Sequence, residues 1–536
     1  MPIFQSQIDT ASDEFKQNRE EMLELVSEVR ELENEARDRG LKAAERFHSK
    51  GRLLPRERLA ALLDPGAPVL ELGNVAGYDL GGNNVPGGGS ILVIGYVSGT
   101  RCVIGANDSA VNAGALTVAG GWKLVRGMGI ALENRLPYIV LVESAGADLL
   151  GYRVENWHEG GRMFAMQARL SAAGIPVIAV QHGSGTAGGA YLPGMSDVVI
   201  GVKKRGFAFL AGPPLLKAAT GEVAEAEELG GMEMHASVSG LVEHLAEDDA
   251  DALRICREVV ANLDWGPSAD TGGTRDFDPP VYDPDELAGV VPVDVKKPYD
   301  CREVIARIVD GSELLEFKPG FGPATVCVEA SIYGHEVGII ANNGALDNAG
   351  ASKATHFIQR CTQLGVPLVF LQNITGYMVG VEAERGGMVK NGSKMIQAVT
   401  TADVPKFTLI IGASFGAGNY GMCGTAYDPR LIMSWPNARL GVMGAAQAAE
   451  TMRIVAAEKT ARSGQPMDEA ALEEFAKSIT DLFESQESAL VNSGRLCDDG
   501  LLDPRDTRRM LGFSLSMAAE AAETELNPLS FGVGRI

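Results

Sequence analysis

Two glycine-rich stretches carry the residue types most able to do chemistry. Gly183-Ser184-Gly185-Thr186-Ala187-Gly188-Gly189-Ala190-Tyr191 follows the apolar run 175–180, and Gly412-Ala413-Ser414-Phe415-Gly416-Ala417-Gly418-Asn419-Tyr420 follows the run 404–411. Small residues directly after a buried strand, at the start of a helix, leave main-chain N–H groups that the helix itself does not pair. Such amides, aided by the helix dipole, can stabilise an oxygen that turns negative during a reaction. One cradle of this kind suits enolate or acyl chemistry. Two suit a reaction in which two carbonyl partners both develop charge. The competing reading is that the small residues only let helices pack closely.

Two motif matches lie inside these stretches and neither fits its usual context. Gly183, Gly185 and Gly188 satisfy G-x-G-x-x-G, but a dinucleotide fold would open the chain with that unit and place an acid at the end of the next strand, whereas Asp197 comes too early. Gly412, Ser414 and Gly416 satisfy G-x-S-x-G, yet a nucleophile elbow needs an acid and then a histidine downstream. The last histidine is His356, upstream of Ser414. Ser184 has His182 close by, but no acid at a plausible triad spacing.

The elements that must hold these turns occur twice. The run 136–142 matches 366–372, and Gly105-Ala106-Asn107-Asp108 matches Ile340-Ala341-Asn342-Asn343, so the landmarks recur about 230 residues apart. That spacing is a duplicated domain, far longer than a solenoid repeat. Strands at 102–106, 138–142, 176–181 and 198–202 alternate with helical stretches at 114–134, 161–173 and 187–195, which predicts an α/β fold of repeated β-β-α units. Apolar spacing from Phe15 to Leu32 predicts an amphipathic arm helix within 12–48, and a second short helix covers 52–63. Helices at 450–463, 468–491 and 503–525 form a tail. The expected division is a helical arm (1–65), a first domain (66–270), a Pro/Gly/acid-rich linker (271–300) and a second domain (301–536).

With 536 residues, 45% of them hydrophobic, the chain has ample core, and its net charge of -23 disfavours nucleic acid. No apolar run reaches the length of a membrane span. The start lacks signal-peptide and transit patterns, so a bacterial cytoplasm is expected, or a mitochondrial matrix if a targeting segment has been removed. The seven cysteines are scattered with no C-x-x-C pair, so neither a disulfide framework nor a metal site is expected.

At the glycine turns the sequence resembles the carboxyltransferase β subunit of biotin-dependent acyl-CoA carboxylases, in the methylcrotonyl-CoA and geranyl-CoA carboxylase branch. The similarity covers nearly the whole chain. Beyond the turns it rests on Phe209-Leu210-Ala211-Gly212-Pro213-Pro214-Leu215-Leu216-Lys217-Ala218-Ala219-Thr220-Gly221-Glu222, on Phe370-Leu371-Gln372-Asn373-Ile374-Thr375-Gly376-Tyr377, on Gly421-Met422-Cys423-Gly424 and on Trp435-Pro436-Asn437-Ala438-Arg439. The resemblance implies a tandem crotonase-like (ClpP-like) fold and a homo-oligomer, a β6 core of an α6β6 complex. It also implies active sites where the first domain of one copy faces the second domain of another. A partner α subunit with biotin carboxylase and biotin carrier functions would supply biotin, since this chain shows no Met-Lys-Met biotinylation site.

By the same resemblance, the N–H groups of Gly188 and Gly189 would hold the acyl-CoA thioester oxygen as it becomes an enolate, and those of Ala417 and Gly418 the ureido oxygen of biotin. CO2 released from carboxybiotin would be attacked by that enolate, at the α or vinylogous γ carbon, after the biotin ring nitrogen takes the proton. Ser144, Ala145, Gly146 and Ala147 would shape the CoA cleft, with Thr220 and Gly221 beside it and Lys123 or the 203–205 basic run on CoA phosphates. Phe415, Gly416, Asn419 and Tyr420 would wall the biotin pocket. Plain structural roles compete at each of these positions.

The chain departs from the methylcrotonyl branch at Ala145, where that branch carries glycine, and across 148–161. The acyl group expected is therefore a branched or longer unsaturated one, with propionyl, acetyl or long-chain acyl groups as alternatives. A biotin-dependent CoA-ester decarboxylase is the alternative function, with a ClpP-like hydrolase more distant.

Overall fold

In the computed structural model, which describes residues 1–81, 85–148, 153–266 and 276–534, the chain forms two compact units. One comprises Met1–Val29, Thr274–Ser493 and Cys497–Leu515; the other comprises Arg30–Gly273, Gly494–Leu496 and Ser516–Ile536. Each is built around one sheet. In the first, Leu70–Glu71, Ser90–Val97 and Thr100–Asn107 run antiparallel, and Tyr138–Ser144, Val177–Thr186, Val198–Val202 and His244–Ala246 then follow in parallel. The second sheet repeats the plan with Leu315–Glu316, Thr325–Ile332, His335–Asn342, Leu368–Ile374, Lys406–Phe415 and Leu431–Ser434.

Parallel neighbours need crossovers, and the sequence supplies helices for them. Val118–Glu133 and Val154–Ala172 serve the first sheet, Asn348–Leu364 and Met388–Thr401 the second. Thr117 Oγ1 caps one crossover by accepting from Gly120 N, and Asp347 Oδ1 caps its counterpart through Gly350 N. The parallel strands read as unbroken apolar runs because both faces are covered. Ile104, Ile139, Ile178 and Ile200 pack in one core; Ile340, Leu368 and Phe370 pack with Phe357 and Met395 in the other.

The arm is a helix over Asp13–Leu41 followed by Ala44–His48, and the predicted second helix is Pro55–Leu62. Residues 267–275, which include the start of the proposed linker, lie outside the described residues. The rest is more ordered than its proline content predicts: Leu287–Val290 is a buried helical turn, and Gly289 lies against the Phe15 ring. The end of the chain belongs with the first sheet, where Arg101 Nη2 and Nε both hold Glu520 at 2.7 Å. No two of the seven cysteines are joined in a disulfide, and Cys497 alone among them is exposed.

Candidate active site

The two glycine turns stand at equivalent strand ends. In the first sheet, the strand Val177–Thr186 passes into a 3-10 turn, Ala187–Ala190, and then a four-residue helix, Tyr191–Gly194. In the second, Lys406–Phe415 passes through Gly416 into the five-residue helix Ala417–Gly421. These helices are far shorter than the stretch expected at 187–195. A macrodipole is therefore a minor contributor, and what these turns offer is individual N–H groups. Gly188, Ala417 and Gly418 lie in the first turn of their helices, where N–H groups have no acceptor within the helix, whereas the 3-10 turn Ala187–Ala190 directs the Gly189 N–H back toward Thr186 O.

The residue before each amide pair has a positive φ, Ala187 at 53 and Gly416 at 59, with Gly416 at ψ -151 in a region open to glycine. Beside each turn lies the loop of the neighbouring strand. Ser144 Oγ donates to Gly114 O at 2.8 Å and accepts from Gly146 N at 3.1 Å, while Leu116 N donates to Gly146 O at 2.8 Å. The bridge between Leu116 and Ala147 has its repeat in that between Leu346 and Tyr377. Ser144, Ala145, Gly146 and Ala147 are thus brought alongside Gly188 and Gly189: a methyl group at Gly189 would sit 3.7 Å from Ser144 Cβ, and one at Gly146 would sit 3.3 Å from Thr186 O.

Aromatic rings flank the amides. Tyr191 and Tyr420 hold the same place in the two turns and are both 48% exposed. Tyr191 packs edge-on against Phe164 at 5.7 Å, and Tyr420 lies against Tyr427 at 5.6 Å. The repeat alignment alone could have singled out Tyr191, and Phe164 follows from its helical position. Phe415 is buried at its strand end.

Other predicted residues stand elsewhere or do other work. Lys123 is 1% exposed; its Nζ donates to Ser90 O at 2.9 Å and Gly87 O at 3.3 Å, and burial, opposed by Glu71, lowers its pKa to about 8. It clamps a loop inside the fold and does not present a charge to a phosphate. Lys353 repeats the arrangement on Gly322 O, which identifies a structural lysine by its recurrence. Thr220 and the left-handed Gly221 end the exposed helix Pro213–Thr220, with Thr220 Oγ1 donating to Leu216 O. In the basic run, Lys203 pairs with Glu247 and Arg205 Nη1 donates to Gly51 O.

Asn419 turns inward. Its Nδ2 donates to Ser414 Oγ at 2.8 Å, and Ser414 Oγ donates to Gln372 Oε1 at 2.6 Å. Ser414 is 1% exposed and tied into this amide network, so it has no role as a nucleophile. Beneath the first turn, His182 Nδ1 lies 2.9 Å from Asp249 Oδ1, an acid too distant in sequence to have been anticipated. Burial, with Arg58 nearby, lowers the His182 pKa to about 4, so the ring is neutral and donates to Asp249. Its Nε2 is buried, and among the described residues it meets no hydrogen-bond partner, serine hydroxyls included. Burial alone would raise Asp249, but the bonds from His182 and Arg58 outweigh it and hold the carboxyl well below the usual range. Of the segment 148–161, residues 149–152 lie outside the described residues.

The chain has known counterparts in sequence and fold. The carboxyl transferase domain family matches residues 46–531. A probable mitochondrial methylcrotonoyl-CoA carboxylase beta chain of Drosophila melanogaster is 46% identical, over 100% of this chain and 95% of the relative. A biotin-dependent 3-methylcrotonyl-coenzyme A carboxylase beta1 subunit of Mycobacterium tuberculosis is 47% identical, over 92% of this chain and 93% of its own length. The crystal structure of the P. aeruginosa geranyl-CoA carboxylase beta subunit is similar with a TM-score of 0.94 at 50% identity, covering 100% of both chains. The chain belongs to the carboxyl transferase family, with its tandem crotonase-like fold, and it is an enzyme of that class. Among the described residues no helix is long and apolar enough to cross a membrane.

Proposed function

We propose that this chain is the carboxyltransferase subunit of a biotin-dependent carboxylase acting on a branched or longer unsaturated acyl-CoA. The observation that carries the reading is the repeated one: at equivalent strand ends each sheet opens a short helix whose first-turn N–H groups, those of Gly188, Ala417 and Gly418, have no acceptor within the helix. Gly188 and Gly189 would hold the thioester oxygen and stabilise it as an enolate. Ala417 and Gly418 suit the ureido oxygen of biotin, because that oxygen also gains negative charge and asks for N–H donors with no other acceptor. Biotin, carried by a partner chain with biotin carboxylase activity, would supply the activated carboxyl group and a ring nitrogen to take the proton. No side-chain base is then needed, in keeping with the internal bonding of Ser414, Asn419 and His182. The two cradles would meet between copies of the chain in a homo-oligomer, six copies forming the core.

Acyl size is argued from the helix Val154–Ala172. A methyl group at Gly188 would lie 3.5 Å from Phe164 Cζ, so this helix faces the first turn. One turn earlier, side chains at Gly160 and Gly161 would meet no described atom within 4 Å. Both positions are exposed, so at that turn the helix sets no wall against an acyl chain longer than acetyl or propionyl. The test mixes the purified chain with carboxylated biotin carrier and a panel of acyl-CoAs and follows label from carrier to thioester. Transfer to geranyl- or methylcrotonyl-CoA is expected; thioester cleavage without transfer would refute the reading.

A further inference from the structure

Both strand ends at the first turn rest on one buried cluster of charges. Glu143, the residue before Ser144, receives Arg58 Nη1 on Oε2 at 2.6 Å and pairs with Arg52 through Oε1. Arg58 Nε continues to Asp249 Oδ2 at 3.0 Å, which also accepts from Leu53 N at 2.8 Å. Asp249 Oδ1 then meets His182, the residue before Gly183. Two guanidinium groups and two carboxylates therefore balance in charge, with a neutral imidazole closing the chain. Gly183 is glycine because the Glu143 side chain occupies the place of its methyl group, at 2.5–2.7 Å.

We propose that Glu143 is a positioning residue for carboxyl transfer. Through Arg58 and Arg52 it fixes, at the same time, the loop that begins at Ser144 and the strand end that leads to Gly188 and Gly189. This deepens the carboxyltransferase reading and rests on it. The geometry makes the case. Glu143 is anchored from outside the sheet, by the 52–58 segment and through Asp249 by the helix Asp249–Ala261, and it fills the gap between the two strands that carry the acyl-side groups. A carboxylate held by two guanidinium groups is fixed in direction as well as position. Donors serve a developing oxyanion only if their aim is set beforehand. The equivalent residue in the second sheet, Asn373, fills the gap at Gly412 in the same way, but its Oδ1 accepts only locally, from Ala413 N at 3.0 Å.

The test compares the full chain with its Glu143→Gln and Glu143→Asp variants, using labelled carboxyl transfer and amide hydrogen exchange. The Gln variant should lose at least tenfold in kcat with KM for acyl-CoA changed less than threefold. Exchange should accelerate at 144–147 and 183–189 and not at 412–420. The Asp variant should recover part of the rate. A Gln variant with kcat within twofold of wild type overturns the proposal, whatever its exchange. If that variant does not fold, Arg52→Gln takes its place: it leaves the Glu143–Arg58–Asp249 chain intact, is expected to lower kcat at least threefold, and overturns the proposal if kcat stays within twofold. A wild-type chain that transfers nothing overturns the carboxyltransferase reading instead, and localised exchange then decides the positioning on its own.

Discussion

At the end of Val177–Thr186 a methyl group on Gly189 would rest at ordinary contact distance, 3.7 Å, from Ser144 Cβ. At the end of Lys406–Phe415 one on Gly418 would come within 2.7 Å of Ile374 Cγ1 and 3.0 Å of Gly376 Cα. The same glycine position thus answers to different demands. In the second turn glycine is imposed by packing, because the neighbouring strand ends in isoleucine where the first sheet has serine. In the first turn the fold leaves room, so small size there serves whatever approaches the amides. The supports differ as well: charged Glu143, Arg58 and Asp249 with His182 under the first, and the neutral amides and hydroxyl of Gln372, Asn419 and Ser414 under the second. Duplication kept the backbone plan and changed the layer beneath each turn.

Proline substitutions separate the two cradles most sharply. Ala417→Pro removes one donor at the first position of a helix, where proline is tolerated. Loss of one oxyanion donor costs about 2.7–4 kcal/mol of transition-state stabilisation, a rate fall of about 10²–10³. That loss should appear both in transfer and in decarboxylation of the carboxylated carrier without acyl-CoA. Gly188→Pro should lower transfer by a similar factor and leave the carrier reaction within a few fold. Matching losses from both variants in both assays would erase the division of labour.

Acid should distinguish the supports next. His182 has a folded-state pKa of about 4 against an ordinary value of 6.5, so the unfolded chain binds its proton first as pH falls. Its contribution to stability is present above about pH 6.5 and is lost as pH drops toward about 4, a change on the order of 3 kcal/mol. Denaturant unfolding across that window should show the slope in wild type and not in His182→Asn, which keeps a donor for Asp249.

Packing comes third. Gly418→Ala should destabilise by about 1–3 kcal/mol through overpacking, whereas Gly189→Ala should change unfolding by less than about 0.5 kcal/mol, as for a tolerated surface change. Equal shifts in denaturation midpoint would show that the two glycines are not held for different reasons. The smallest effect belongs to Ala187→Gly. A left-handed alanine costs about 1–2 kcal/mol, and glycine returns part of that as chain entropy. A gain below about 1 kcal/mol is expected, measurable as a higher melting temperature.

The sequence disclosed the duplication, the strand order within each repeat and the two turns, because apolar runs and glycine clusters are local signals that recur at a fixed offset. Helix length after the turns was overestimated, since Tyr191 and Met195 continue an apolar period that the fold interrupts at Gly194. Lys123 was placed on CoA phosphates because lysine usually reaches the surface; only its repeat, Lys353, betrays burial. The His182–Asp249 bond spans two elements brought together by the tertiary fold, and nothing in linear spacing marks it. Asn419 belonged to the right motif but points into the sheet, a matter of side-chain direction that the motif does not encode.

Burial of six of the seven thiols has a practical result. Cys102, Cys256, Cys301, Cys327, Cys361 and Cys423 are buried, and desolvation pushes each thiol pKa upward, so all six resist conversion to the reactive thiolate. A hydrophilic maleimide dye added to the native chain should therefore attach at Cys497 alone, giving a single fluorescent reporter without any engineered substitution.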